Sequence, residues 1–307
     1  MSSVGGAGPG AAAAGAGPGT RKVFIVGCPR SGTTWARSIL RSHPLVIAPA
    51  DETHVYDELY EPIVTRGLGS AARQYILSRY DGRPIGEDLG LHLLVTRDAL
   101  VELLERAEAS GRPMPDAAED VIAAVLEGFI VGAEATSGRV FVEKTPSHIL
   151  HAQRILRRFP EARIVEVLRD GRDVCVSMQH RAAEAAWVPK SRDEQIRRWV
   201  EAVQFGMGVR ATPEAAGRWH VFRFEEAKHD PWRAIAELFT FCGLPFDPVL
   251  VDRVTASTDF SRVAYAGDGQ MFRRGAVGDW RTDFNEADVA LFARLASETL
   301  VAAGYDL

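Results

Sequence analysis

One segment near the amino terminus restricts the fold of this chain more than any other. The β-branched run Val-Phe-Ile-Val follows Lys22 and ends at Gly27, where a turn rich in Ser and Thr begins. From Trp35 to Leu40, apolar residues recur at helical spacing. This order predicts a buried strand, a tight loop and a helix, which together begin an α/β unit.

The same alternation of strand and helix patterns recurs three more times along the chain. Strand-like runs lie at residues 140–142, 163–168 and 220–224, and helical patterns follow at residues 146–159, 172–183 and 231–242. Strands that alternate with helices form parallel β-α-β units with right-handed crossovers. The sequence therefore predicts the α/β class, with three layers and a central, mostly parallel sheet.

The remaining regions indicate the domain organisation. Residues 1–20 are almost wholly Gly, Ala, Pro and Ser, which predicts a disordered tail, and residues 21–307 are interpreted as one domain. Between residues 52 and 136 the pattern is helical without a convincing strand, so residues 60–137 are interpreted as a helical insertion. Such elements lie above the carboxyl ends of the strands, where ligands bind in open α/β sheets.

Composition excludes several classes of protein. The chain has 36 Lys and Arg against 41 Asp and Glu, a net charge of −5, so no basic field favours nucleic acid or an anionic membrane. Its three cysteines form no CxxC pair, which disfavours a disulfide framework and a zinc cluster. The most apolar stretch, residues 121–133, is too short to span a membrane, and no secretory signal is evident. We expect a cytoplasmic protein, and the Ala-, Gly- and Arg-rich usage suggests a bacterial source.

The loop after the first strand has the context of an anion site. It reads Gly-Cys-Pro-Arg-Ser-Gly-Thr-Thr-Trp over residues 27–35. At a helix start, backbone N–H groups and the positive end of the helix attract phosphate. Compared with the nucleotide-triphosphatase loop G-x-x-x-x-G-K-[ST], Thr33 replaces the lysine, and Arg30 supplies the cation. The alternative is a tight turn with incidental polar residues.

This loop resembles the first signature of the sulfotransferases that use 3′-phosphoadenosine 5′-phosphosulfate (PAPS). Their signature, P-[KR]-S-G-T-T-[WL], is reproduced by residues 29–35. The resemblance implies a P-loop-like fold in which this loop binds the 5′-phosphosulfate and Trp35 stacks on adenine. The loop residues assigned to the phosphosulfate are Arg30, Ser31, Gly32, Thr33 and Thr34.

Two further segments are similar to elements that bind the 3′-phosphate in the same family. Residues 168–177 contain Arg169 and Ser177, and in the family this pair clasps the 3′-phosphate. An arginine fork suits phosphate oxygens, and a serine two helical turns later returns to the same side. Residues 272–280 are similar to R-[KR]-G-x-x-G-[DE]-W, which implies that Arg273, Arg274 and Gly275 fold over the nucleotide.

A catalytic base is expected within residues 50–57, which resemble the K-E-x-H-F-F-D element of the glycan-modifying branch. The glutamate of that element deprotonates a sugar hydroxyl, so Glu52 is the first candidate here. Asp51 stands in place of the lysine, and Val55 in place of a phenylalanine. His54 is the rival base, because an imidazole pKa of about 6.5 suits proton transfer.

Residues 143–148 resemble the E-K-[ST]-P element of the same branch, which implies that Lys144 assists the sulfuryl group. His148 is a third candidate base, by similarity to the K-T-H element of the cytosolic branch, although Pro146 and Ser147 depart from it. The segment also fits a helix start, with Thr145 as the cap and Pro146 in the first helical position.

These elements together predict an enzyme, a PAPS-dependent sulfotransferase. By analogy with phosphoryl transfer, it would move the sulfuryl group by in-line displacement to a hydroxyl of a small molecule or glycan, leaving adenosine 3′,5′-bisphosphate (PAP). No metal ion is implied. One alternative is a P-loop small-molecule kinase, in which Thr34 and Asp170 would hold magnesium; another is a nucleotide-binding module without turnover. The acceptor and the oligomeric state stay open.

Overall fold

The structure is a computed structural model in which residues 20–82, 89–133, 139–183, 185–259 and 275–307 are described. Residues 1–19, nearly all of the predicted tail, lie outside the described residues, as do Arg273 and Arg274. The strands are β1 (Arg21–Gly27), β2 (Val46–Ile47), β3 (Val140–Lys144), β4 (Arg163–Leu168) and β5 (Trp219–Arg223).

Helices account for most of the remaining described chain. The α-helices are α1 (Thr33–Arg41), α2 (Glu61–Arg66), α3 (Ser70–Asp81), α4 (Arg97–Ala109), α5 (Met114–Gly132), α6 (Ala152–Arg158), α7 (Gly171–Arg181), α8 (Arg192–Arg210), α9 (Phe224–His229), α10 (Pro231–Cys242), α11 (Pro248–Ser257), α12 (Trp280–Asp283) and α13 (Glu286–Ala302). A π-helix lies at Tyr56–Tyr60, and 3₁₀ turns lie at Leu91–Leu93, Pro146–His151 and Pro213–Ala215. Within the described ranges, none of the helices has the length and apolarity to cross a membrane.

The five strands form one parallel sheet in the order β2-β3-β1-β4-β5. Phe24 of the central strand is in register with Glu143 of β3 and Ile164 of β4. Because side chains alternate along a strand, Val23 faces a layer built from α1, α10 and α11, whereas Phe24 faces a layer containing α5 to α8 and α13. The predicted three-layer α/β fold with a parallel sheet is confirmed.

The direction of the strands brings the predicted site residues to one edge of the sheet. β1 ends at Gly27, just before the loop that carries Arg30. β3 ends at Lys144, and β4 ends one residue before Arg169. The carboxyl ends of parallel strands lie at the same edge, so these three segments meet where ligands bind in such sheets.

The region interpreted as an insertion is attached to the sheet through the start of β1. Its described part, up to residue 133, contains α2 to α5 and no strand, as the pattern indicates. Lys22 at the start of β1 is 3% exposed, and its Nζ lies 2.7 Å from Glu127 of α5 and 2.9 Å from Glu161. This buried ammonium connects the central strand to the longest helix of the inserted region.

Gly171, the first residue of α7, lies directly against the buried indole of Trp199. A Cβ at this position would come within 2.4 Å of the ring. We therefore expect Gly171→Ala to destabilise the protein by about 1–3 kcal/mol, measured as a lower Tm in thermal unfolding. The control is Gly208→Ala in α8, where a Cβ would meet no atom within 4 Å; it should be neutral or stabilising by up to about 1 kcal/mol. Equal Tm values for the two variants would contradict this packing.

Candidate functional site

The loop after β1 turns sharply into α1 through unusual backbone conformations. Gly32 has a φ of +105°, and a Cβ there would lie 2.6 Å from the Phe224 ring, so this position requires glycine. Arg30 has a φ of 76°, which is uncommon for a residue with a side chain. Among the described residues, no side chain caps α1, so the N–H groups of Thr33 and Thr34 are available to an anion that binds beside Arg30.

Side chains from the first and second motifs converge on this loop. The Nε of Arg30 donates a hydrogen bond to Ser177 Oγ on α7, with a distance of 3.1 Å. The Nη1 of Arg169 donates to the Arg30 carbonyl at 3.4 Å, and its guanidinium lies 4.5 Å from the centre of the Phe224 ring. Residues 147 positions apart in the sequence therefore meet at one point.

This cluster groups three arginines, Arg30, Arg169 and Arg181, and the Asp173 carboxylate lies 3.9 Å from Arg169 Nη2. Burial lowers the pKa of Arg30 to about 10, and repulsion from Arg181 and Arg169 acts in the same direction. Arg169 Nε is buried without a hydrogen-bond partner among the described residues. Grouped, desolvated cations favour binding of an anion. The motifs did not indicate Arg181, although its i,i+4 spacing from Ser177 places it on the same face of α7.

The segment that follows residue 274 docks beside Arg169. Gly275 is the first described residue after residue 259. The carbonyl of the next residue, Ala276, accepts a hydrogen bond from Arg169 Nη2 at 2.9 Å. Asp173 of α7 accepts the backbone N–H of Trp280 at 3.0 Å. The described end of the third motif thus lies against the second motif, and the contact of Arg273, Arg274 and Gly275 with the nucleotide stays a prediction.

Trp35 is a buried core side chain. Its indole is 3% exposed and packs edge-on against Phe222 and Phe224, with ring centres 5.7 Å and 5.6 Å apart. Its Nε1–H donates to the carbonyl of Thr258 at 2.9 Å. These contacts attach α1 to β5 and to the end of α11, and the stacking of Trp35 on adenine stays a prediction.

A second group of charged side chains lies at the end of β3. Lys144 is buried, and its Nζ contacts Glu52 Oε1 directly. The same Nζ lies 3.2 Å from Asp51 Oδ1 and 3.5 Å from Thr34 Oγ1. Because Thr34 belongs to the first turn of α1, this ammonium connects the end of the loop at residues 27–35 with the candidate base.

Glu52 and Asp57 hold the imidazole of His54 between them. His54 Nε2 lies 3.4 Å from Glu52 Oε2, and Nδ1 lies 2.9 Å from Asp57 Oδ2. Burial acts to raise the pKa of Glu52, but Lys144 and His54 outweigh it, and the pKa falls to about 2. Burial acts to lower the pKa of His54, but Asp57 and Glu52 raise it to about 9. At neutral pH, the group therefore contains a carboxylate at Glu52 and an imidazolium at His54.

His148 is fully buried, and both of its ring nitrogens have partners. Nδ1 lies 3.0 Å from Glu143 Oε2, and Nε2 accepts the backbone N–H of Tyr56 at 3.3 Å. These bonds attach the end of β3 to the start of the π-helix. The geometry favours a role for His148 in positioning rather than in accepting a proton from a ligand.

The predicted capping role of Thr145 is wrong. Thr145 does precede the 3₁₀ turn, and Pro146 is its first residue, but the Thr145 side chain makes no capping bond. Its Oγ1 donates to Glu143 Oε1 at 2.6 Å and accepts the N–H groups of Thr53 and His54, each at 3.2 Å. The buried Glu143 carboxylate requires donors, and this requirement overrides the local cap.

Comparison with known proteins identifies relatives of this chain. A family model described as the sulfotransferase family matches residues 22–248. An uncharacterized protein of Aquifex aeolicus is 25% identical over 278 residues, which cover 86% of this chain and 31% of that protein. Nodulation protein NoeE of Sinorhizobium fredii is 24% identical over 306 residues, which cover 92% of this chain and 65% of that protein. The chain thus spans less than two thirds of either relative.

Solved sulfotransferase structures share the fold. Mouse sulfotransferase SULT7A1 complexed with PAP matches with a TM-score of 0.52 and 14% identity, covering 92% of this chain and 85% of that chain. Sulfotransferase STF9 from Mycobacterium avium matches with a TM-score of 0.53 and 16% identity, covering 95% and 79%. Since the family model matches most of the sequence and includes both the loop at residues 27–35 and the Arg169–Ser177 element, the chain belongs to the sulfotransferase family.

Proposed function

We propose that this chain transfers a sulfuryl group from PAPS to a hydroxyl of a small molecule or glycan. The observation that most directly supports this donor is the convergence of Arg30, Arg169 and Ser177 from two separate motifs. A single motif would fit many phosphate ligands. Two motifs that meet fit a nucleotide with one anionic group at its 5′ end and another at its 3′ position.

The residues present fit such a donor. The 5′-phosphosulfate would bind at the start of α1, where Arg30 and the N–H groups of residues 32–34 offset its charge, since the Ser31 N–H donates to the Cys28 carbonyl at 3.1 Å. The 3′-phosphate would bind Arg169 and Ser177. In support, the buried Arg169 Nε lacks a partner among the described residues, and a phosphate oxygen would satisfy it. Anion binding would also neutralise the repulsion among the clustered arginines.

In the proposed reaction, the acceptor oxygen attacks sulfur and forms the new S–O bond. The bond between sulfur and the bridging oxygen of the 5′-phosphate breaks, its electron pair stays on that oxygen, and PAP leaves. The acceptor proton passes to Glu52. Arg30 and Lys144 offset the negative charge that develops on the departing phosphate and on the sulfuryl oxygens.

Glu52 is the best supported of the three candidate bases. His54 is protonated at neutral pH because its pKa is about 9, and both ring nitrogens of His148 already have partners. The low pKa of Glu52 makes it a weak base while Lys144 and His54 contact it. We propose that Lys144 moves toward the sulfuryl group when the donor binds, which makes Glu52 more basic as the acceptor enters.

The acceptor would bind between Glu52 and the inserted helices. The backbone N–H of Gly90 donates to the Glu52 carbonyl at 2.7 Å, so the insertion contacts the segment that carries the base. The π-helix at Tyr56–Tyr60 follows His54 directly, and π-helical turns are frequent at functional sites. These contacts support the proposal that residues 60–137 select the acceptor.

Calorimetric titration with PAP, AMP and ATP tests the proposed donor. PAP should bind in EDTA and at least about tenfold more tightly than AMP, which lacks only the 3′-phosphate, because one charge-assisted hydrogen bond contributes about 1.5–3 kcal/mol. Magnesium-dependent binding of ATP that exceeds binding of PAP would contradict the proposal and support the kinase. Binding of PAP without any conversion of PAPS to PAP would support the non-catalytic module.

A further inference from the structure

The Asp51 carboxylate lies between Glu52, the candidate base, and the helix that follows the loop at residues 27–35, here called the donor loop. One of its oxygens, Oδ1, has three partners. Arg37 Nη1 of α1 lies at 2.7 Å, Lys144 Nζ of β3 at 3.2 Å, and the backbone N–H of Glu52 at 2.9 Å. A single oxygen atom thus connects the helix that follows the donor loop, the strand that carries Lys144 and the residue proposed as the base.

Lys144 requires this arrangement because its ammonium is buried. A buried cation without an anionic partner is strongly unfavourable. Its carboxylate partners are Glu52 and Asp51, while Thr34 contributes a neutral oxygen. If Glu52 were the only carboxylate beside Lys144, the Lys144 ammonium would lose its anionic partner whenever it moved away from Glu52. Asp51 offers a second carboxylate beside Thr34.

Arg37 offsets the negative charge of the Asp51 carboxylate, so Asp51 does not repel an anionic donor. Its Nη1 forms an ion pair with Asp51, and its Nη2 donates to the Ala50 carbonyl at 2.5 Å. The formal charges of Arg37, Lys144, Asp51 and Glu52 sum to zero. Asp51 can therefore hold Lys144 without adding net negative charge near the proposed phosphosulfate.

We propose that Asp51 is a positioning residue that holds the Lys144 ammonium beside Thr34, so that Lys144 can separate from Glu52 and leave that carboxylate to accept the acceptor proton. This role rests on the proposed function. It deepens that function by assigning a role to Asp51, which stands where the K-E-x-H-F-F-D element has a lysine. In this chain, a carboxylate there orients a lysine supplied by a neighbouring strand.

The arrangement has a test that needs neither donor nor acceptor. The chain has four lysines, Lys22, Lys144, Lys190 and Lys228, so ¹H–¹⁵N spectra of the lysine Nζ groups are simple, and Lys144→Arg identifies the signal of interest. We expect Glu52→Gln to retain the protected Lys144 signal, because Asp51 still holds the ammonium. Asp51→Asn/Glu52→Gln should lose it. Loss in Glu52→Gln alone, or retention in the double variant, would overturn the proposal.

Kinetics test the functional part, with PAPS hydrolysis as the readout because it needs no identified acceptor. Asp51→Asn should lower kcat at least tenfold with the KM for PAPS within about threefold, and Asp51→Glu should recover part of the loss. In a Lys144→Met background, Asp51→Asn should cause no further loss, since Asp51 acts through the lysine. The matched control is Asp193→Asn, an aspartate of α8 that pairs with Arg197 on the same helix, which should behave like wild type.

The outcomes separate the two proposals. Unchanged kcat in Asp51→Asn, or an additive loss in the Lys144→Met background, would overturn the role of Asp51 while wild-type binding of PAP still supported the donor. A wild-type protein that binds no PAP would instead contradict the proposed function, and with it the functional role of Asp51.

Discussion

Glu52→Gln is expected to lower kcat by roughly 10²–10⁴-fold, the usual contribution of a general base, while the Kd for PAP changes less than about threefold. The amide cannot accept the hydroxyl proton. It does keep the shape of the side chain beside Lys144 and His54. The measurement is turnover of PAPS, together with calorimetric binding of PAP to the same variant. Weak PAP binding by Glu52→Gln would show that the loss is structural.

The rival bases and the pH profile belong to the same test. His54→Ala should lower kcat less than Glu52→Gln does, because the imidazolium supports Glu52 without accepting the proton. The folded-state pKa of His54 is raised to about 9, so its ion pairs stabilise the fold at and below neutral pH. That contribution is lost as the pH rises through about 9, so the Tm of the wild-type protein should fall there. An active Glu52→Gln beside an inactive His54→Ala or His148→Ala would reassign the base.

Arg169→Ala is expected to raise the Kd for PAP by roughly 30- to 1,000-fold, equivalent to about 2–4 kcal/mol, because a buried phosphate would lose its charged partner. Ser177→Ala removes one neutral hydroxyl and should cost only about 0.5–1.5 kcal/mol. Arg169→Lys keeps the charge but loses the fork of donors, so its Kd should lie between those of wild type and Arg169→Ala. Calorimetry with PAP and AMP gives the decisive comparison.

The two nucleotides identify which phosphate Arg169 contacts. If Arg169 binds the 3′-phosphate, Arg169→Ala weakens PAP strongly and AMP little, and the preference for PAP disappears. A matched control is Arg218→Ala. Arg218 lies directly before β5, and its guanidinium donates to the carbonyls of Leu156 and Phe159. The PAP affinity of this variant should be that of wild type. Equal weakening of PAP and AMP by Arg169→Ala would contradict the 3′-phosphate assignment.

The centre of the sheet could be predicted from the sequence because β1, β3 and β4 are buried on both faces. β4 occupies the predicted residues 163–168, and α10 occupies the predicted residues 231–242. The pattern did not indicate β2, which has only two residues, or α8, whose apolar positions are spread around the helix rather than along one stripe. A very short edge strand, or a helix whose apolar residues lie all around its axis, can be identified only when the elements that pack against it are known.

The loop at residues 27–35 and the Arg169–Ser177 element could be located in the sequence because each is a contiguous motif, and the family model that matches residues 22–248 includes both. The details around them depend on contacts between distant segments. Thr145 binds the backbone of residues 53 and 54, and His148 binds Tyr56, across 91 or more positions. Local spacing contains no information about such pairs. It indicated a helix cap at Thr145, and similarity to the K-T-H element made His148 a candidate base, whereas in the fold both side chains are partners of the buried Glu143.

Arg30 and His54 are the two described residues other than glycine with a positive φ, 76° and 51°. Such conformations cost about 1–3 kcal/mol each and persist only where the surroundings enforce them. Glycine or asparagine would relax the backbone at both positions. Directed evolution for heat tolerance alone would therefore favour replacement of these two residues, and the resulting proteins would gain stability while losing a proposed ligand of the phosphosulfate and a partner of Glu52.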